Sequence, residues 1–220
     1  VPEFDERAFR EALVNAFGHR DYSLLGRVRV LVDDAGLTIA NPGGFVEGIN
    51  VHNLLTAEPR GRNPCLMDAL KRTGLAERTG RGIDRIFEGA LNYGRPLPDY
   101  SRSNRRGVSV LLPRSVPDKA FVELLAEERE RSGKSMSLDG LLILDKLKSE
   151  RRCGFDVLSG SLDMSDQRLR TVLGQLTEAG LVESAGVGAR RTYMLGAKVY
   201  RRSGRAMEYV RQSDIDRVRY

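Results

Sequence analysis

Two prolines, Pro113 and Pro117, divide the chain into stretches of different periodicity, and that division limits what it can fold into. Proline continues neither a helix nor a central strand, and it pushes the residue before it out of the helical region. Upstream, Asp5 is placed to cap a helix running to about His19. Two β-rich runs follow, Val28–Val32 and Leu37–Ala40, with Asp33-Asp34-Ala35-Gly36 between them as a hairpin turn. Asn41-Pro42-Gly43-Gly44 then breaks structure. A short helix is predicted over Leu66–Arg72, a glycine-punctuated turn over Thr79–Gly82, a helix over Ile83–Tyr93 and a strand over Val108–Leu112. Downstream, Lys119–Arg131 reads as a charged connecting helix and Ser132–Ser135 as a joint. Helices over Leu138–Leu147, Phe155–Leu162 and Asp166–Ala179 come next, the last stopped by Gly180. A strand from Leu181, a tip holding Gly186 and Gly188, and a strand over Arg190–Leu195 close the unit. Strand, tip and strand after three helices predict a wing.

Composition narrows the setting. The longest apolar runs fall far short of the roughly 20 residues that cross a bilayer, so no membrane partner is expected. The first ten residues carry five charges, unlike a signal peptide. A helix begins almost at once behind a first residue that is not methionine, so an upstream piece of the native protein is expected to be missing. Cys65 and Cys153 have no CxxC spacing, and with two histidines in the chain neither a zinc site nor a disulfide framework is predicted. A reduced cytoplasm is the expected compartment. The net charge of +6 permits nucleic acid without demanding it. More telling is Arg190–Arg205, which holds Arg190, Arg191, Lys198, Arg201, Arg202 and Arg205 and no acid. Such a run is either a solvated basic face or a phosphate contact.

On the first helix Glu11, Asn15 and His19 fall on one face at i, i+4, i+8, with Phe9, Leu13, Ala16 and Phe17 expected on the core-directed side. The polar face is either plain solvent surface or a site. As a site, the carboxylate would polarise an attacking water and the carboxamide would ligate Mg²⁺ carried on phosphates. Gly43 and Gly44 are either a hairpin exit or a bend around a ligand, and Arg60 and Arg62 either loop charges or phosphate contacts.

The string Arg10-Glu-Ala-Leu-Val-Asn-Ala-Phe-Gly-His-Arg-Asp-Tyr-Ser23 resembles the N box of the GHKL superfamily of histidine kinases, gyrase B-type, MutL-type and Hsp90-type ATPases. It is more specifically similar to a bacterial and archaeal family of transcriptional regulators, labelled RecG-like helicase C-terminal, in which this domain follows a Schlafen/Alba-type N-terminal domain. Asn41–Gly44, Arg62-Asn63-Pro64 and Gly80–Ile83 occur in that family's order, and the resemblance covers about residues 3–100. It implies an α/β sandwich, a mixed sheet with helices on one face, that binds ATP or a related nucleotide with Mg²⁺. Glu11 would be the catalytic base and Asn15 the magnesium ligand. His19, Asn41, Gly43, Gly44, Arg62, Gly80 and Gly82 would bind nucleotide, in a pocket bounded by Glu11, Asn15, Gly43, Gly44 and Gly80. Where the superfamily begins its first glycine box with aspartate, this chain has Asn41-Pro42.

The second unit matches the winged helix-turn-helix pattern. Ser165, Gln167, Arg168, Arg170 and Thr171 lie near the start of its third helix, the half that meets base edges in such domains. Arg190, Arg191 and Tyr193 on the wing would meet phosphates or the minor groove of double-stranded DNA; docking to a protein is the other use of such a module. The expected fold is thus α+β. A nucleotide-binding domain over 1–115 precedes a linker helix over 116–134, a winged helix-turn-helix domain over 135–200 and a tail helix over 201–220. Met207, Val210, Ile215 and Val218 in the tail form a stripe that could pair two chains as a homodimer. The expected function is a DNA-binding transcriptional regulator with a nucleotide-binding domain. An ATP-hydrolysing enzyme acting on DNA and a scaffold that has lost its ligand are the alternatives. No GxxxxGK[ST] motif is present, so a Walker-type helicase is not predicted.

Overall fold

The computed structural model describes residues 3–76 and 80–202. Thr79, Arg205 and the tail stripe from Met207 lie outside these described residues. The chain separates into two compact units, Val1–Pro117 and Asp118–Tyr220. Together the described residues hold eight α-helices and two small antiparallel sheets. No helix among them is long and apolar enough to cross a membrane.

The first unit opens with helix α1 (Glu6–Gly18), whose N-cap Asp5 accepts from the Ala8 amide at 2.7 Å. Strands β1 (Arg29–Asp33) and β2 (Gly36–Pro42) form the hairpin. Asp33 Oδ1 accepts from the amides of Ala35 and Gly36 and so fixes the turn. Helices α2 (Pro64–Arg72) and α3 (Gly82–Asn92) follow, and β3 (Gly107–Pro113) completes the sheet in the order β1-β2-β3.

Two expectations are corrected here. The sheet is antiparallel rather than mixed: Gly36 pairs with Pro113 and Pro42 with Gly107. After its two helices the chain re-enters beside the end at which β2 leaves, so β3 must run back along β2. The buried side of α1 is also not the Phe9–Leu13–Phe17 stripe, since Phe17 is 45% exposed. Of the expected stripe Ala16 alone is buried; the helix also buries Glu11 and Val14 and, beside Ala16, the small residues Ala8, Ala12 and Gly18. These small residues let α3 approach closely; a Cβ added to Gly89 would stand 2.7 Å from that of Ala8. Close approach replaces bulk as the source of packing. On the sheet, Leu37 and Ile39 face the helices with Val110 and Leu112 opposite them, and all four are buried. Asn41, opposite Val108, continues the same face to the strand's end.

The second unit begins with helix α4 (Lys119–Ser132), capped by Asp118. Set apart as a linker by the sequence reading, α4 instead lies within this unit, burying Phe121, Leu124, Leu125 and Glu128 at i, i+3, i+4, i+7. Glu128 is held between Arg131 and Lys198 of α8 (Ala197–Arg202). Helices α5 (Leu138–Glu150), α6 (Phe155–Leu162) and α7 (Asp166–Glu178) pack mutually, α7 through buried Leu169, Val172, Leu173 and Leu176. Gly180, at φ +68°, ends α7 in the left-handed conformation that glycine adopts without strain. Strands β5 (Val182–Ala185) and β6 (Thr192–Leu195) flank a 3₁₀ turn at Gly188–Arg190. The short β4 (Arg152–Gly154) pairs with β6, in the order β4-β6-β5.

Candidate functional site

Beneath α1, where the apolar sheet face runs out at Asn41, the first unit holds a cavity of about 560 Å³ that is open to solvent. That volume falls within the roughly 300–1,000 Å³ of small-molecule sites. Glu11 and Asn15 of α1 and His19 just after it line it, with Ile39, Asn41, Val108 and Val110 of the sheet. The far side is the segment from Gly44 to Gly61 and the start of α3, Gly80 to Asp84.

Glu11 is only 2% exposed. Arg85, one turn into α3, places Nη1 3.4 Å from Glu11 Oε1. The guanidinium offsets the hydration that the carboxylate loses on burial. A carboxylate buried beside a cavity is held there only with such a partner, and its other oxygen, Oε2, lies on the side of Gly82.

Gly82 lies against this pair. A Cβ there would be 3.1 Å from Glu11 Oε2 and 3.6 Å from Asn15 Nδ2, so glycine keeps the space open. It is also the first residue of α3, which has no side-chain cap. The amides of that first turn have no intrahelical partner and carry the positive end of the helix dipole. Arg81 is drawn along the helix to Asp84 and Glu88, each at 3.2 Å. Acid, carboxamide, backbone amides and the lining cations Arg60 and Lys71 together suit an anionic, polar ligand.

The remaining expected residues divide. Asn41 is 6% exposed and donates from Nδ2 to the Pro42 carbonyl at 3.1 Å. Gly44 and Gly80 line the cavity; Gly80 has φ +81° and abuts Pro59. Gly43 and Arg62 do not line it. Gly43, at φ +91°, donates to the Arg106 carbonyl, and its Cα faces Asp21 so closely that a Cβ would stand 2.5 Å from that side chain. Arg62 bridges Asp21 Oδ2 at 2.9 Å and the Gly44 carbonyl at 2.7 Å. The neighbouring Asn63 donates to the carbonyls of Gly18 and Arg20 at 2.9 and 2.8 Å. Arg62 and Asn63 thus pin the returning end of the 44–61 segment to the chain leaving α1. Hydrogen bonds from Ser23, then the Arg62 charge, hold the Asp21 carboxyl below its usual range. Burial first, and Arg62 second, push the His19 imidazole below 6.5, so it is neutral at pH 7.

Sequence reasoning missed Arg85, Phe45 and Tyr100. Arg85 stands three residues after Gly82, on the same helical face, and that spacing was available as a signal. Tyr100 stacks on Phe87 with ring centroids 6.4 Å apart, and Phe45 tilts against it at 6.3 Å. Nothing in the loop composition around these rings marked them.

In the second unit Ser165, Gln167, Arg168, Arg170 and Thr171 are all exposed. Ser165 accepts from the Arg168 amide as the α7 N-cap. Arg168 reaches Asp139 of α5 at 2.7 Å. Arg170 pairs with Asp166 at 3.3 Å and lies over the Phe155 ring at 4.5 Å. Arg190 and Arg191 are exposed in the turn between β5 and β6. Tyr193, expected beside them, is 9% exposed and sits between Cys153 and Ser184 in the sheet. The register turns it into the core, so it is removed from the surface set.

A family model described as "Putative ATP-dependent DNA helicase recG C-terminal" matches residues 26–112. That stretch holds the sheet, the 44–61 segment and α3; α1 lies just upstream. The crystal structure of the DIP2311 protein from Corynebacterium diphtheriae is similar, with 25% identity and a TM-score of 0.76. The likeness covers 91% of this chain and 42% of that one, so the chain spans less than half the length of that protein. No curated protein matches. The family match supports a GHKL-like, ATPase-type domain in the first unit of this chain.

Proposed function

We propose that the chain is part of a DNA-binding transcriptional regulator whose first unit binds ATP or a related nucleotide with Mg²⁺. The observation that carries the reading is the cavity, where a buried carboxylate and a carboxamide on α1 face the uncapped start of α3 across Gly82. Phosphates would lie against the α3 amides, as anions do at helix N-termini. Asn15 would be the protein ligand of a Mg²⁺ ion arriving on those phosphates. Asn41 would accept from the base, His19 would contact the ligand as a neutral imidazole, and Arg62 would act from behind by holding the 44–61 segment.

The second unit is read as a winged helix. Three helices followed by the β5–β6 hairpin, with Arg190 and Arg191 exposed at its tip, support that reading. The exposed start of α7 would enter the major groove with Gln167 and Arg170 nearest the bases, and the tip would meet phosphates. Duplex DNA titrated at several salt concentrations, with and without Mg-ATP, tests the whole proposal. Affinity should fall by about 0.9 log units per tenfold salt for each phosphate contact and should change when nucleotide is present. Absence of DNA binding at low salt would make the second unit a protein-docking module.

Hydrolysis is the second reading, favoured by the Glu11 carboxylate, whose Oε2 lies beside the first residue of α3, Gly82. In it Glu11 takes the proton of an attacking water. Glu11→Gln should then abolish turnover while sparing nucleotide binding; turnover unchanged in that variant would remove the role.

A further inference from the structure

Strand β1 forms an edge of its sheet, and among the described residues nothing pairs with its outer side. All five of its residues are exposed, including Val30 at 47%, Leu31 at 55% and Val32 at 58%. Three consecutive aliphatic side chains on an open edge expose both apolar surface and a row of hydrogen-bonding backbone groups. Residues directly opposite across a ladder share a face. Val30 and Val32, opposite Ile39 and Leu37, therefore project on the side covered by helices; Arg29, Leu31 and Asp33 project on the other.

We infer that this edge pairs antiparallel with β1 of a second copy of the chain, about a two-fold axis at Leu31. Such an axis stands normal to the sheet and keeps each face on its own side, so the only registers open to it set one residue against its own symmetry mate. Centred on Leu31, Arg29 meets the other copy's Asp33 and Asp33 meets its Arg29. Val30 meets Val32, and Leu31 meets Leu31. Both charges on the strand are then matched twice and every aliphatic residue faces another. Centring on Val30 puts Arg29 against Leu31, and centring on Val32 puts Asp33 against Leu31. The sequence of β1 is thus self-complementary in one register. Arg29 has no ion-pair partner among the described residues, so it is available for this contact. The two three-stranded sheets would join into one of six strands, with Val30 and Val32 of both copies forming a single apolar strip on the helix side.

Sedimentation velocity and light scattering on the 220-residue chain over a concentration series test the pairing. The mass should rise from 24.5 kDa towards twice that value. Leu31→Lys sets two like charges face to face at the axis and should return the mass to the monomer with an unchanged circular dichroism spectrum. In a Cys65→Ser background, Leu31→Cys should form a disulfide-linked dimer under mild oxidation. Facing Cα atoms in an antiparallel pair lie about 4.5–5.5 Å apart, within disulfide reach. Val30→Cys and Val32→Cys should each cross-link poorly alone and well when mixed. A monomer at every concentration, a dimer that survives Leu31→Lys, or Val30→Cys cross-linking alone as readily as Leu31→Cys would each overturn the inference.

Discussion

Replacing Gly82 with alanine separates the cavity's role in binding from any role in holding the fold. Its backbone is not in the left-handed region, so alanine is conformationally acceptable at the start of α3, where it gains up to about 1 kcal/mol of helix propensity. The new methyl would meet Glu11 Oε2 at 3.1 Å and the Asn15 amide at 3.6–3.7 Å. The first contact is tighter than ordinary packing by a few tenths of an ångström. Glu11 has little freedom to give way, being 2% exposed and paired with Arg85. Overpacking of this kind costs about 1–3 kcal/mol. Here it would fall on the geometry that receives the phosphates and so weaken nucleotide binding by about 5- to 150-fold. The folded state would change little, since the gain in propensity offsets part of the strain. Thermal unfolding and isothermal calorimetry on the same preparations read both quantities. A nucleotide affinity within twofold of wild type would refute the reasoning. A large drop in Tm would show Gly82 to be a packing glycine.

Arg62→Ala removes the bridge between Asp21 and the Gly44 carbonyl from a side chain only 26% exposed. Stability should fall by about 1–3 kcal/mol, with faster proteolysis within residues 44–61; an unchanged Tm and digestion pattern would contradict the anchoring role. His19 is held neutral with a depressed pKa, so its share of stability is complete above about pH 6.5 and is lost as pH falls through the lower folded-state value. His19→Gln should flatten the loss of Tm between about pH 7.5 and about pH 5.5; an equal loss in the variant would show that other groups set it. Replacing Arg190 and Arg191 together with alanine should weaken binding to all DNA sequences alike and reduce the salt slope by about 1.8. A sequence-dependent loss would mean that one of them reads a base.

The parts of the fold that sequence made legible are the local ones. The Asp5 cap, the Asp33–Gly36 turn and the Gly180 stop each depend on residues within a few positions of one another, so a single chain carries the whole signal. The burial of Glu11 depended on α3. The expected stripe was right at Ala16 but added the large Phe9, Leu13 and Phe17, whereas the close approach of Gly89 favours the alanines Ala8 and Ala12. Strand direction escaped for a similar reason, because residues 43–106 lie between β2 and β3 and no local pattern says which end of β2 the chain returns to. Three-residue β4 is too short for its alternation to register, and Tyr193 was misplaced because its core-facing side depends on pairing with β4 and β5. At the candidate site, the motif residues named Glu11, Asn15, Gly44, Gly80 and Gly82, which line one cavity. The supporting set, Arg85 on the acid and Arg62 and Asn63 on the segment, joins residues far apart in sequence and was visible only in three dimensions.

Calorimetric titration of ATP, ADP and GTP into the chain, with and without Mg²⁺, bears most directly on the central claim. The account predicts saturable binding of one nucleotide per chain. Mg²⁺ should strengthen ATP binding in the wild type, and Asn15→Ala should lose that enhancement while keeping its fold. No binding of any of the three up to about 1 mM, or an Mg²⁺ effect undiminished in Asn15→Ala, would contradict it.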